Sequence, residues 1–199
     1  RGMVAVAAGD ADEAGRQVRR ADALLDEPPL TLLLSAQAAQ LAGDETAAGR
    51  FFTAMLTRRE TEFLGVRGLL TQSMKRHDWE QALRHARRAY RLSPDSAWVA
   101  ANLFDLQIRA NQWLDAEATV SESVKHKHIR AQEGRRLRAV LKHLRGLEAE
   151  AAGDAGQSAI LANQANRSDP GFIPGADRLA RLLLGKGRNR RALNVVEKA

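Results

Sequence analysis

One short pattern recurs along the chain and constrains its fold more than any other feature. A small residue, most often glycine, is followed by a polar residue and then, four positions on, by alanine. The series reads Gly9–Asp10 with Ala14, Gly43–Asp44 with Ala48, His77–Asp78 with Ala82, and Asn111–Gln112 with Ala116. Gly153–Asp154, and Gly187–Arg188 with Ala192, complete it. The steps from 9 to 43, 43 to 77, 77 to 111 and 153 to 187 are each 34 residues, and the step from 111 to 153 is 42.

A period of 34 is that of the tetratricopeptide repeat, two antiparallel helices per unit. The residues supply the reasons. Glycine or asparagine tolerates the left-handed backbone that ends a first helix, A, and turns the chain. Asp10, Asp44, Asp78 and Asp154 can cap the start of a second helix, B. Ala14, Ala48, Ala82, Ala116 and Ala192 lie one turn into B, where a methyl lets it approach A. Pro94 and Pro170 each fall 17 residues after a turn, where a helix must stop before the next repeat. Phe52, Ala86, Val120, Ala162 and Val196 share one B position, and Leu69, Leu103 and Leu179 share one A position.

The expected fold is therefore all-α: a tetratricopeptide-type superhelical solenoid of about six helix-turn-helix repeats, read as one domain over residues 1–199. The first repeat lacks most of helix A, and the last stops at the end of helix B. The longer step is an insertion of eight residues around 125–133, which predicts a longer helix A from about Ala131 to Ala152.

Composition narrows the function. Of 199 residues, 44% are hydrophobic and 28% charged, which excludes a disordered chain. There is no cysteine, so disulfides, thiolate metal sites and a cysteine nucleophile are excluded. The longest apolar stretch, Leu30 to Ala42, contains Thr31, Ser35, Gln37 and Gln40, and is too short and polar to span a bilayer. No secretory signal is legible. The chain begins at Arg1, which points to a piece of a longer or processed protein with any N-terminal membrane anchor outside it. The net charge of +7 favours acidic partners.

Several strings go beyond the generic repeat. Pro28-Pro29-Leu30-Thr31-Leu32-Leu33-Leu34, Glu60-Thr61-Glu62-Phe63-Leu64-Gly65, Leu92-Ser93-Pro94 through Trp98, Leu103-Phe104-Asp105-Leu106-Gln107 and Trp113 resemble the HemY-type membrane-anchored tetratricopeptide proteins of proteobacteria. The resemblance spans nearly the whole chain and implies the soluble repeat region of such a protein. It further implies a role in organising or regulating haem (porphyrin) biosynthesis at the bacterial inner membrane. An unrelated flavin-dependent oxidase carries the same name, but no Gly-x-Gly-x-x-Gly after a strand supports that chemistry here.

In such a solenoid helix A lines the partner groove. Counting from the turns, groove candidates are Gln37, Gln40, Arg67, Thr71, Trp98, Asp105, Arg109, His143, Glu150 and Arg181. Arg67 with Thr71, and Ala101 with Asp105, do not reproduce the Lys and Asn clamp of chaperone-tail-binding members. A basic patch, Lys125, Lys127, Arg130, Arg135, Arg136, Arg138, Lys142 and Arg145, coincides with the insertion and fits acidic protein or anionic headgroups. No aromatic residue is interleaved, so nucleic acid is not expected. His126 and His128 have a spacing that can ligate a metal or haem iron, but no cysteine or carboxylate pair completes a site. Trp79, Trp98 and Trp113 are assigned to core packing.

The sequence thus points to a non-catalytic scaffold with protein partners, possible tetrapyrrole-synthesis enzymes among them, and no resident cofactor or metal. The Lys/Arg excess places it on the cytoplasmic side. The alternatives are a haem or porphyrin carrier using the groove through His143 or His128, and a generic adaptor unrelated to haem.

Overall fold

A computed structural model describes residues 2–24 and 28–199; Arg1 lies outside them. Twelve α-helices and no strand are present among the described residues. They form six pairs: α1 (Gly2–Ala8) with α2 (Ala11–Leu24), α3 (Pro28–Leu41) with α4 (Glu45–Met55), and α5 (Arg59–Lys75) with α6 (Trp79–Leu92). Then follow α7 (Ala97–Arg109) with α8 (Trp113–Lys125), α9 (Ala131–Ala151) with α10 (Ala155–Ser168), and α11 (Ile173–Leu184) with α12 (Asn189–Val196). The fold is an all-α tetratricopeptide-type solenoid. The chain divides into two compact units, residues 1–106 and 107–199.

The six turn residues named by the register all have left-handed backbones. φ is 74° at Gly9, 75° at Gly43, 56° at His77, 55° at Asn111, 80° at Gly153 and 69° at Gly187. Each ends its helix A in the same way. The turn residue donates to a carbonyl three back, and the next residue donates to a carbonyl five back, as in Gly43 N to Gln40 O at 3.2 Å and Asp44 N to Ala39 O at 2.9 Å. This is the Schellman motif, which satisfies carbonyls the helix would otherwise orphan. The second residue also opens helix B. The carboxylates of Asp10, Asp44, Asp78 and Asp154 accept from the backbone N–H of Glu13, Ala47, Gln81 and Gln157 at 2.8–3.0 Å. One aspartate therefore closes A with its amide and caps B with its side chain.

Inside each pair the alanine does what its size allows. Ala14, Ala48, Ala82, Ala116 and Ala192 are all buried. At the equivalent position of the fifth pair stands Ser158, equally buried. In the first unit, Leu70, Ala82, Leu83, Ala86, Leu103 and Leu106 form one core cluster, and Ala36, Ala48, Phe52 and Met55 another. Helix α5 fits beneath Phe52 because Gly65 and Gly68 carry no side chain there. In the second unit Leu141, Leu161, Ala162, Ala165, Phe172 and Leu179 are buried.

Phe52, Ala86, Val120 and Ala162 are buried as the register requires, each on a B helix followed by another A helix. Val196 holds the same position but is 56% exposed, since no helix follows it among the described residues. Leu103 and Leu179 are buried, while Leu69 is only half-buried. Both prolines sit between pairs, and the residues before them, Ser93 and Asp169, leave the helical region as a following proline favours, Asp169 being extended. The insertion lengthens α9 to 21 residues.

Candidate functional site

All the groove candidates lie on A helices: Gln37 and Gln40 on α3, Arg67 and Thr71 on α5, Trp98, Asp105 and Arg109 on α7, His143 and Glu150 on α9, Arg181 on α11. In the first unit the fold brings two of them together. The Arg67 guanidinium sits over the Trp98 ring, 4.8 Å from its centroid, with both side chains exposed. A delocalised cation over an indole face is the favoured form of this contact. The Thr71 hydroxyl turns back to the Arg67 carbonyl at 3.0 Å, and Asp105 is exposed nearby along the chain on α7. Gln37 keeps Oε1 buried without a hydrogen-bond partner, and Gln40 is half-buried.

In the second unit the candidates turn mainly to structural partners. Glu150 meets Arg178 at 2.6 Å, and Arg181 bonds to Asp177 one turn earlier. Arg109 is exposed at the end of α7. His143 is half-buried, edge-on to the Phe172 ring at 5.4 Å. Burial first, then the positive charge of Arg178, hold its imidazole below the ordinary histidine value.

The tryptophans depart from the core assignment. Trp79 and Trp98 are 36% and 37% exposed, and only Trp113 is more enclosed. Trp79 and Trp98 lie in the first turn of α6 and α7, where Trp79 contacts the His77 ring and Trp98 receives Arg67. A position at a helix start was legible, but which side the indole takes depends on the neighbouring repeat.

The fold splits the basic patch. Lys125 pairs with Glu122 at 3.3 Å, Arg136 with Asp169 at 3.1 Å, and Lys142 and Arg145 share Glu117 at 3.2 and 3.5 Å. Arg136 also donates to the Gly171 carbonyl and lies over Phe172. Lys127, Arg130, Arg135 and Arg138 form no ion pair with a described residue. Glu117 and Asp169 are too far off in sequence for the patch's own stretch to show them.

Two features escape the sequence reading. An open groove of about 550 Å³ is lined by Trp113, Leu114, Arg145, Glu148, Ala149 and Leu161. Arg178 is buried on α11 and donates to the Gly146 carbonyl and the Ser158 hydroxyl, both at 2.7 Å. Ser158 in place of the repeat's alanine was the one available pointer. Among the described residues, no three His, Asp or Glu side chains converge as a metal site would need.

Comparison with known proteins agrees with this geometry. Residues 1–43 match the family described as HemY protein N-terminus, and residues 73–141 match a tetratricopeptide repeat family. The chain is thus similar to HemY proteins at its N-terminal end and to tetratricopeptide repeats in its middle. No curated protein matches it in sequence. A tetratricopeptide repeat protein from Parabacteroides merdae is similar in structure, with a TM-score of 0.58 at 18% identity, covering 99% of this chain and 75% of that one. That likeness bears on the fold alone. MamA from Desulfovibrio magneticus is aligned at a TM-score of 0.44 and 14% identity over 86% of this chain and 93% of its own. BtubC from P. vanneervenii is aligned at 0.47 and 13% over 100% and 89%. The tetratricopeptide repeats imply a protein-binding scaffold. Among the described residues no helix is long and apolar enough to cross a membrane.

Proposed function

We propose that this chain is a non-catalytic scaffold that binds protein partners of haem (porphyrin) biosynthesis at the bacterial inner membrane, on the cytoplasmic side. The observation that carries the binding reading is the exposed Arg67–Trp98 pair on the A helices of neighbouring repeats. Tryptophan and arginine dominate the energetics of protein interfaces, and here they stand preorganised against each other and open to solvent. Asp105 and Thr71 supply polar groups on the same helices. The match to the HemY N-terminus supports the haem-biosynthetic and membrane context, and the Lys/Arg excess supports the cytoplasmic side.

The test is photocrosslinking from a reactive aromatic placed at position 98, in native bacterial membranes. The expected product is an adduct with a tetrapyrrole-synthesis enzyme or an inner-membrane protein, lost on Arg67→Ala. Adducts with neither class of protein would overturn the reading. Haem titration separates the porphyrin-carrier alternative: that alternative requires a Soret shift abolished by His143→Ala or His128→Ala.

A further inference from the structure

The register break does more than lengthen a helix. Helix α9 has 21 residues and its antiparallel partner α10 has 14, and they are joined by the tight turn at Gly153. The surplus therefore lies at the start of α9. About seven residues at 1.5 Å each run past the end of α10, an overhang of roughly 10 Å. The loop that feeds it, residues 126–130, follows a seventh Schellman motif. Lys127 N donates to Val124 O at 3.1 Å and His128 N to Ser123 O at 2.8 Å, with φ at 59° on Lys127. An exposed lysine thus occupies a left-handed position that glycine fills more easily.

Loop and overhang carry the cations that the fold leaves unneutralised. Lys127, Arg130 and Arg135 are exposed, and Arg138 is half-buried one turn further in. Each other cation of the patch is matched to Glu117, Glu122 or Asp169. The only acid between 125 and 138 is Glu133. The local recess, lined by Arg130, Gln132, Glu133, Arg136, Asp169 and Gly171, has two carboxylates in its wall and does not suit one small anion. No exposed large apolar or aromatic side chain lies in residues 125–138. Protein interfaces are built around such anchors, and single-stranded nucleic acid needs aromatic platforms. A surface of diffuse charge needs neither.

We propose that loop 126–130 and the start of α9 form a docking surface for an anionic phospholipid bilayer. Each Lys or Arg near such a surface contributes about fivefold to binding, so the four together supply roughly 600-fold before screening by salt. The patch is distinct from the Arg67–Trp98 groove and does not depend on it.

The full chain is tested by flotation with vesicles of phosphatidylcholine alone and of phosphatidylcholine mixed with phosphatidylglycerol. One variant carries Lys127→Gln, Arg130→Gln, Arg135→Gln and Arg138→Gln. The control carries Lys186→Gln, Arg188→Gln, Arg190→Gln and Arg191→Gln, the same loss of charge from exposed positions around α12. Thermal melts verify that both fold. The wild type is expected to float only with anionic vesicles. The first variant should lose at least about tenfold in partitioning, while the control keeps most of its binding. Equal losses in both variants would reduce the effect to net charge and overturn the proposal. So would absence of binding to anionic vesicles, or preferential binding to a duplex oligonucleotide of equal phosphate content. The crosslinking at position 98 reports on the groove separately, so either reading can fail alone.

Discussion

The Arg178 guanidinium donates to the Ser158 hydroxyl at 2.7 Å, at the one buried helix B position where the register's alanine is replaced. The same nitrogen donates to the Gly146 carbonyl and lies 2.6 Å from the Glu150 carboxylate. The hydroxyl and the charge therefore belong together. An arginine buried to 8% exposure requires acceptors, and the serine supplies one without adding much bulk. Ser158→Ala restores the common residue yet is expected to destabilise the second unit by about 1–3 kcal/mol, because a charged donor loses a buried acceptor. A double-mutant cycle with Arg178→Met in chemical denaturation should return a favourable coupling. If Ser158→Ala is neutral in both backgrounds, the hydrogen bond contributes nothing.

Two glycines on helices should respond in opposite directions to alanine. A Cβ on Gly65 would lie 2.5 Å from the Phe52 backbone carbonyl and 2.9 Å from Met55 Cβ, and a backbone atom cannot swing aside. Gly65→Ala is expected to cost about 1–3 kcal/mol despite the better helix former. On Gly156 the Cβ would meet only the Asp154 side chain at 3.4 Å. Gly156→Ala should therefore be neutral or stabilise by up to about 1 kcal/mol. Equal effects on the two denaturation midpoints would refute the packing account.

These residues also show what a single sequence can and cannot disclose. The turns were legible because one backbone conformation selects glycine, asparagine and histidine at fixed spacing, and all six have positive φ. The aspartate caps and the buried alanines were legible for the same reason: the constraint acts within a few residues. Lys127 adopts the same conformation outside the register, and a lysine announces nothing of the kind. The division of the basic patch depends on Glu117 and Asp169, which the chain brings in from other helices. The exposure of Trp79 and Trp98 depends on contacts between repeats, so their helix-start positions could not fix it.

The turn register predicts a gain as well as losses. Arg188 holds the cap position of α12 with φ −89° and ψ 54°, close to the −82° and 78° of Asp78, but makes no side-chain cap bond. No acidic residue stands in the first turn of α12. Arg188→Asp supplies both a cap acceptor and a negative charge at the helix N-terminus, and should stabilise α12 by about 0.5–1 kcal/mol. The reciprocal Asp78→Ala should cost about 1 kcal/mol. Hydrogen exchange of the α12 amides reads the first change locally. Unchanged protection there would show that the cap is not what limits this helix.

The last prediction concerns acid. His85 on α6 and His143 on α9 are both held below the ordinary histidine value of 6.5. Burial is the main cause in each. Arg84 and Arg88 add to it for His85, with Asp78 opposing, and Arg178 adds to it for His143. A lowered folded value means that the unfolded chain binds more protons between the two values. Stability therefore rises with pH across that window and is lost as pH falls from 6.5 toward the lowered folded values. Above it both forms are neutral and the histidines contribute no slope. Glu45, held low by the hydrogen bond from Gln72 and then by Lys75, loses its contribution only below its ordinary 4.5. The interval between about pH 5 and 6.5 thus isolates the histidines. The melting temperature is expected to be flat near pH 7 to 8 and to fall through that interval. In the double variant His85→Gln, His143→Gln the fall should be shallower, whatever the substitutions do to stability at pH 8. A slope unchanged by the two substitutions would place the acid sensitivity elsewhere.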